Sequence, residues 1–88
     1  MTYQLKWHKA ALRQFKKLDA SVQRYIDVWL TKNVDGSSNP RRTGKSLTKD
    51  LSGYWRYRVG DYRVICEIND DACIVIAIKI GHRSKIYS

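Results

Sequence analysis

The chain has 88 residues, with 17 Lys and Arg against 8 Asp and Glu, for a formal charge of +9 at pH 7. A fold of this size buries only roughly 60–65% of its unfolded surface, which permits one modest core and excludes most multidomain enzymes. The 43% hydrophobic content suffices for that core and excludes a disordered basic tail, while the charge excess calls for an anionic partner.

The first predicted element is a strand over residues 2–7. Tyr3, Leu5 and Trp7 alternate with polar neighbours there. Over residues 8–17 the period changes, and Ala11, Phe15 and Leu18 recur at helical spacing. Asp19 or Ser21 is placed to cap a second helix. That helix carries Val22, Tyr25, Ile26, Trp29 and Leu30 as its apolar stripe and ends near Asn33. Residues 34–44 hold two glycines, the only proline and a Ser-Ser pair, and read as a loop. Leu47 and Leu51 are expected to pin the returning chain to the core.

From Tyr54 the period is two again. Trp55, Tyr57 and Val59 alternate with Arg56 and Arg58, and Gly60-Asp61 is a turn signal. Residues 62–68 form the next strand and Asn69-Asp70-Asp71 the next turn, whose acids serve only to solubilise it. The run 72–80 is nearly continuous Ile, Val and Ala, which suits a central strand covered on both faces and ended by Gly81. The order is β-α-α-β-β-β in a single domain over 1–88. It is an α+β fold with two N-terminal helices packed on a small, mainly antiparallel sheet.

No apolar run approaches the roughly 18 residues of a membrane span. The opening MTYQLKWHKA lacks the apolar stretch of a signal peptide. A cytoplasmic protein follows, with no membrane partner and with Cys66 and Cys73 as buried thiols rather than a disulfide. The cysteines lack zinc spacing, no acidic cluster suggests a metal site, and no phosphate-cradling glycine loop appears. Neither metal nor cofactor is expected.

Residues two apart on a strand share a face, so Arg56 and Arg58 project together, away from the core. A tight hairpin brings Arg63 beside them, where Glu67 or Asp61 offers a structural pairing. Arg83 and Tyr87 can fold back over the same face. Clustered guanidiniums repel one another and make sense around phosphates, whose oxygens match their forked donors. His82 beside Arg83 is a candidate acid–base, because its unperturbed pKa lies near 6.5. Lys6, Lys9, Arg13, Lys16 and Lys17 form a dense basic run, and Arg41 and Arg42 a pair in the loop. Both are either solvated surface or phosphate-docking sites on RNA.

The segments Trp7-His8-Lys9-Ala10-Ala11, Phe15-Lys16-Lys17-Leu18, Leu51 through Ile65, and Gly81-His82-Arg83 with Tyr87 resemble RelE-type toxins of the RelE/ParE superfamily. The resemblance spans essentially the whole chain and is most specific from Leu51 to Ile65. It implies a compact sheet with two N-terminal helices. It implies a type II toxin that cuts mRNA on the ribosome without a metal, the 2′-hydroxyl attacking the adjacent phosphate. Arg63 and Arg83 match family catalytic arginines, Arg56 and Arg58 stand where the archetype has lysines, and Tyr87 matches the C-terminal tyrosine. Nearby cations would favour the Tyr87 phenolate, since an ordinary tyrosine near pKa 10 is a poor base. The implied partners are a small acidic RelB-like antitoxin, the ribosome and its mRNA, and operator DNA for the antitoxin complex. The alternatives are a ParE-like inhibitor of DNA gyrase, which shares the fold, and a non-catalytic nucleic-acid-binding module.

Overall fold

A computed structural model describes residues 1–87. Alternation of Leu5 and Trp7 with Gln4 and Lys6 gives strand β1 (Gln4–Trp7). Helix α1 (Lys9–Lys16) follows, with His8 as N-cap, its side chain accepting from the Ala10 N–H. Helix α2 (Ala20–Asn33) starts after Asp19, which holds the N-cap position without a side-chain cap bond. Then come a two-residue strand β2 (Lys45–Ser46), a short 3-10 turn at Lys49–Leu51, and strands β3 (Trp55–Val59), β4 (Tyr62–Asn69) and β5 (Ile74–His82). The sheet runs β1-β5-β4-β3-β2, and only β1 and β5 are parallel. This is the α+β arrangement predicted, with β5 inside the sheet.

Both helices lie on one side. Ala11, Ile26, Leu30 and Val34 are fully buried with Tyr57, Val59, Val64, Cys66, Val75 and Ala77 from the sheet. Trp7 packs on Phe15 and Trp29 on Tyr57, with ring centroids 4.9 and 5.9 Å apart. Fully burying an aliphatic side chain contributes roughly 1.5–3 kcal/mol, so this layer supplies most of the driving force. A register shift at Ile65/Cys66 interrupts the β4–β5 ladder. Close by, the Ile80 N–H donates to Gln14 Oε1 of α1 at 2.9 Å, so the irregularity leaves that amide paired.

Several expectations are corrected. Strand β1 begins at Gln4; Tyr3 instead bonds through its backbone to Gly36 and Ser37, which together with Asp35 cover the outer edge of β1. Tyr25 is 55% exposed, because the core-facing arc of α2 is narrower than its apolar stripe. Leu47 and Leu51 are half-buried but lie outside the core cluster. The returning chain is held instead by Tyr57 Oη, which donates to the Pro40 carbonyl, and Trp55 Nε1, which donates to the Thr43 carbonyl. Strand β5 starts at Ile74 and runs through Gly81, which pairs with Arg63. Its second face is only partly covered: Ile74, Ile76 and Ile78 are half-exposed.

Asp70 does more than solubilise its turn. It accepts a bidentate pair from Arg41 at 2.9 and 3.0 Å and a hydrogen bond from Tyr3 Oη at 2.6 Å. This clasp ties the loop to the β4–β5 turn. First the Arg41 and then the Tyr3 hydrogen bond hold the Asp70 carboxyl at about 2, below its ordinary 3.8. A carboxylate with a lowered folded-state pKa stabilises the fold above its ordinary value and loses that contribution as pH falls through the folded value.

Two outcomes are expected. Gly44 has φ of +88°, and an added Cβ would overlap the Arg56 carbonyl oxygen and lie 2.5 Å from Trp55 Nε1. Gly44→Ala should therefore cost about 1–3 kcal/mol or more in urea unfolding. The Asp70 clasp should open between about pH 4 and pH 2, seen as accelerated hydrogen exchange around Arg41–Thr43. In Asp70→Asn that acid step should vanish; its persistence would place the titrating group elsewhere.

Candidate active site

Residues directly opposite on paired strands share a face, so the register fixes the site before any side chain is considered. On the face away from the helices one row reads Lys45, Arg56, Ile65, Lys79, and the next reads Arg58, Arg63, Gly81. The opposite parity buries Tyr57, Val59, Val64 and Cys66. The core thus dictates where the arginines point.

Arg56, Arg63, His82, Arg83, Ser84 and Tyr87 line one open depression of about 400 Å³. Five of the six predicted site residues therefore meet. The sixth, Arg58, is outside the lining but directly across from Arg63. Burial first, then the charges of Arg58 and Arg56, lower the Arg63 pKa below its ordinary value; Tyr87 opposes this and Arg83 adds to it. A guanidinium stays charged at neutral pH even so. Arg63 spends a single nitrogen on the protein: Nη1 donates to the Gly60 and Tyr62 carbonyls, each at 2.9 Å. Nη2 and Nε have no partner among the described residues. Arg63 is thus anchored with donors to spare. The alternative, structural pairing with Glu67 or Asp61, does not form among the described residues.

Asp61 serves Arg83 instead. Its carbonyl accepts the Arg83 N–H at 2.7 Å, and its carboxylate lies 3.5 Å from Arg83 Nε. The Nε of Arg56 is buried and has no partner among the described residues. His82 is on the helix-side parity with Tyr62, at the end of β5, and reaches the rim of the depression from there.

The tail then turns back. The Lys85 and Ile86 N–H groups both donate to the His82 carbonyl. Ile86 is 2% exposed, seated against Gly81, where an added Cβ would come within 3.3 Å of Ile86 Cδ1. Glycine at 81 therefore serves the tail's return rather than a strand end. With Ile86 buried, the next residue, Tyr87, lines the depression and is 51% exposed.

Sequence reasoning missed Ser84, Lys45 and Lys79. Ser84 bonds His82 Nδ1, and its signal was sequence proximity alone. Lys45 and Lys79 flank Arg56 and Ile65 only once the register is known. The basic run divides in space: Lys6 shares the open face with Ile76 and Glu67, while Lys9, Arg13, Lys16 and Lys17 are exposed on and just after α1. Of the loop pair, Arg41 is held by Asp70, and Arg42 has no side-chain partner among the described residues. No group of three His, Cys, Asp or Glu placed to hold a metal occurs among the described residues. Burial pushes the Cys66 thiol up to about 12, so it packs as an apolar side chain; Cys66 and Cys73 are both free, and Cys73, expected to be buried, is only half-buried in the β4–β5 turn. No helix among the described residues is long and apolar enough to cross a membrane.

The family model described as the ParE toxin of a type II toxin–antitoxin system matches residues 5–87. The chain is similar to Toxin RelG of Mycobacterium tuberculosis, with 29% identity over 87 residues, covering 99% of this chain and 98% of that protein. Its fold superimposes on a chain of a RelBE toxin–antitoxin complex from the same organism with a TM-score of 0.84 and 25% identity, covering 97% of this chain and 95% of that one. For an archaeal RelE–RelB complex from Pyrococcus horikoshii the TM-score is 0.70 and the identity 27%, covering 97% and 99%. These matches define the class, a toxin of a type II toxin–antitoxin system. Within it, the chain belongs to the ParE toxin family of the RelE/ParE superfamily, and it is similar to RelE-type members.

Proposed function

We propose that this toxin is a ribosome-dependent mRNA endoribonuclease. The observation that carries the proposal is the convergence of Arg56, Arg63, Arg83 and Tyr87 on one exposed depression. That grouping suits a phosphodiester, because charge develops on the phosphate oxygens during transfer and fixed donors aimed there stabilise it. The 2′-hydroxyl attacks the adjacent phosphorus and the bond to the 5′-oxygen breaks. The products are a 2′,3′-cyclic phosphate and a 5′-hydroxyl. Arg63 holds a non-bridging oxygen with its unspent Nη2 and Nε. Arg83 stabilises the phosphate from the other side or supports the leaving oxygen. Arg56 and Arg58 neutralise flanking phosphates, Tyr87 as its phenolate accepts the 2′-hydroxyl proton, and the leaving 5′-oxygen takes its proton from solvent water in the open depression. No step requires a metal, since the guanidiniums supply the positive charge.

A depression this open encloses little of a substrate. The ribosome would hold the message, while the toxin docks through Lys6, Lys9, Arg13, Lys16, Lys17 and Arg42 by many weak phosphate contacts. Arg41, already paired with Asp70, is the weakest member of that set. The silencing partner is an acidic RelB-like antitoxin covering the basic surface, and the pair together would bind operator DNA. Inhibition of DNA gyrase is the second reading, favoured by the ParE description of the matching family.

Arg63→Ala and Arg83→Ala should each lower cleavage of ribosome-bound mRNA by about 10²- to 10³-fold while the proteins remain folded. End-group analysis should find a cyclic or 3′-phosphate; a 3′-hydroxyl would overturn the mechanism. A parallel supercoiling assay separates the gyrase reading, and salt-sensitive RNA binding without any product would mark a non-catalytic module. Separately, Tyr87→Phe should slow the chemical step with little change in binding, measured in single-turnover reactions. Cleavage at the normal rate would remove Tyr87 as the base.

A further inference from the structure

We propose that His82 donates a hydrogen bond through Nε2–H to the phosphate in the depression, and that Ser84 is the positioning residue that fixes it in this form. The proposal rests on the phosphodiester reading of the depression and assigns it another contact. The Ser84 backbone N–H donates to His82 Nδ1 at 3.1 Å, and Ser84 Oγ lies 2.8 Å from the same nitrogen. A neutral imidazole carries one N–H and one lone pair. With Nδ1 accepting, its proton resides on Nε2. Tyr62 meets the ring edge-to-face, with centroids 5.5 Å apart and planes at 84°. Tautomer and ring rotation are therefore both set by the ring's neighbours.

Nε2–H then has no protein partner among the described residues, and His82 lines the rim of the depression that Arg56, Arg63 and Arg83 also line. A neutral donor has a particular use there. It adds a hydrogen bond to an anion without adding another positive charge to guanidiniums that already repel one another. A phosphate offers several acceptor oxygens, more than one anchored arginine can satisfy. Backbone geometry does part of the work, because the N–H that fixes the tautomer belongs to the tight return through His82–Ile86.

The two ring nitrogens are separated by substitution. The amide nitrogen of Gln mimics Nε2–H, and that of Asn mimics Nδ1–H. His82→Gln should retain about tenfold more cleavage activity than His82→Asn. Nitrogen-15 NMR of the wild-type neutral ring should show Nδ1 as the lone-pair nitrogen, and titration with inorganic phosphate should shift Nε2. Ser84→Ala keeps the backbone donor, so its spectrum should still show Nδ1 as the lone-pair nitrogen, whereas Ser84→Pro, which has no N–H to donate, should show a mixture of tautomers. A proton found on Nδ1, a phosphate titration that leaves Nε2 unmoved, or equal activity in the Gln and Asn variants would overturn the proposal. If phosphate shifts Nε2 while ribosome-bound message stays uncut, the cleavage reading fails and the donor assignment stands. If the message is cut and His82→Asn cuts as well as the wild type, the reverse holds.

Discussion

Side-chain alternation on the paired strands β3 and β4 is the constraint on which the molecule depends. Tyr57, Val59, Val64 and Cys66 must face the helices to form a core at all. Their neighbours then have no choice of side, and Arg56, Arg58 and Arg63 emerge together on the other face. Arg58 and Arg63 stand directly opposite each other, an arrangement of like charges that destabilises a solvated sheet. The buried rows outweigh that repulsion many times over. A one-residue slip would exchange the faces, burying guanidiniums and exposing the core, so hydrophobic burial also guards the register of the cations.

The open face is not a bare platform. Ile65 is fully buried there, and Ile86 is buried at the tail's return over Gly81. A small apolar seat thus sits beside the charged rows and anchors the segment carrying Ser84 and Tyr87. The flanking loop is restrained in a different way. Buried Tyr57 and half-buried Trp55 reach out of the sheet to loop carbonyls, and Asp70 grips Arg41. The strand bearing Arg56 and Arg58 therefore also organises the chain beyond the sheet's edge.

Much of this was legible in the sequence because it depends on period. The change from two to 3.6 and back located the helices and the three C-terminal strands, and the parity of Arg56, Arg58 and Arg63 followed from it. What stayed hidden depends on distant pairing. Two-residue β2 has no period to detect, so Lys45 could not be placed beside Arg56. The parallel pairing of β1 with β5 needs the whole chain. Tyr25 carries the right spacing but lies beyond the arc the sheet covers. Asp70 looked like a turn acid because its partners, Tyr3 and Arg41, are far away in sequence. Ser84 acquires meaning only through the conformation of its own backbone N–H.

The two thiols have unequal lives. Cys66 is sealed between helices and sheet, whereas Cys73 sits in the β4–β5 turn with φ of +54° and its sulfur 3.7 Å from the Asp70 carbonyl oxygen. Because Cys73 is half-buried and Cys66 fully buried, a thiol-directed dye or spin label will favour Cys73 without any engineered cysteine. That position adjoins the Tyr3–Asp70–Arg41 clasp and lies at the end of the sheet remote from Arg63 and Gly81. The native chain is therefore ready for distance measurements to a partner or a ribosome, with the reporter held away from the arginines whose environment it would otherwise disturb.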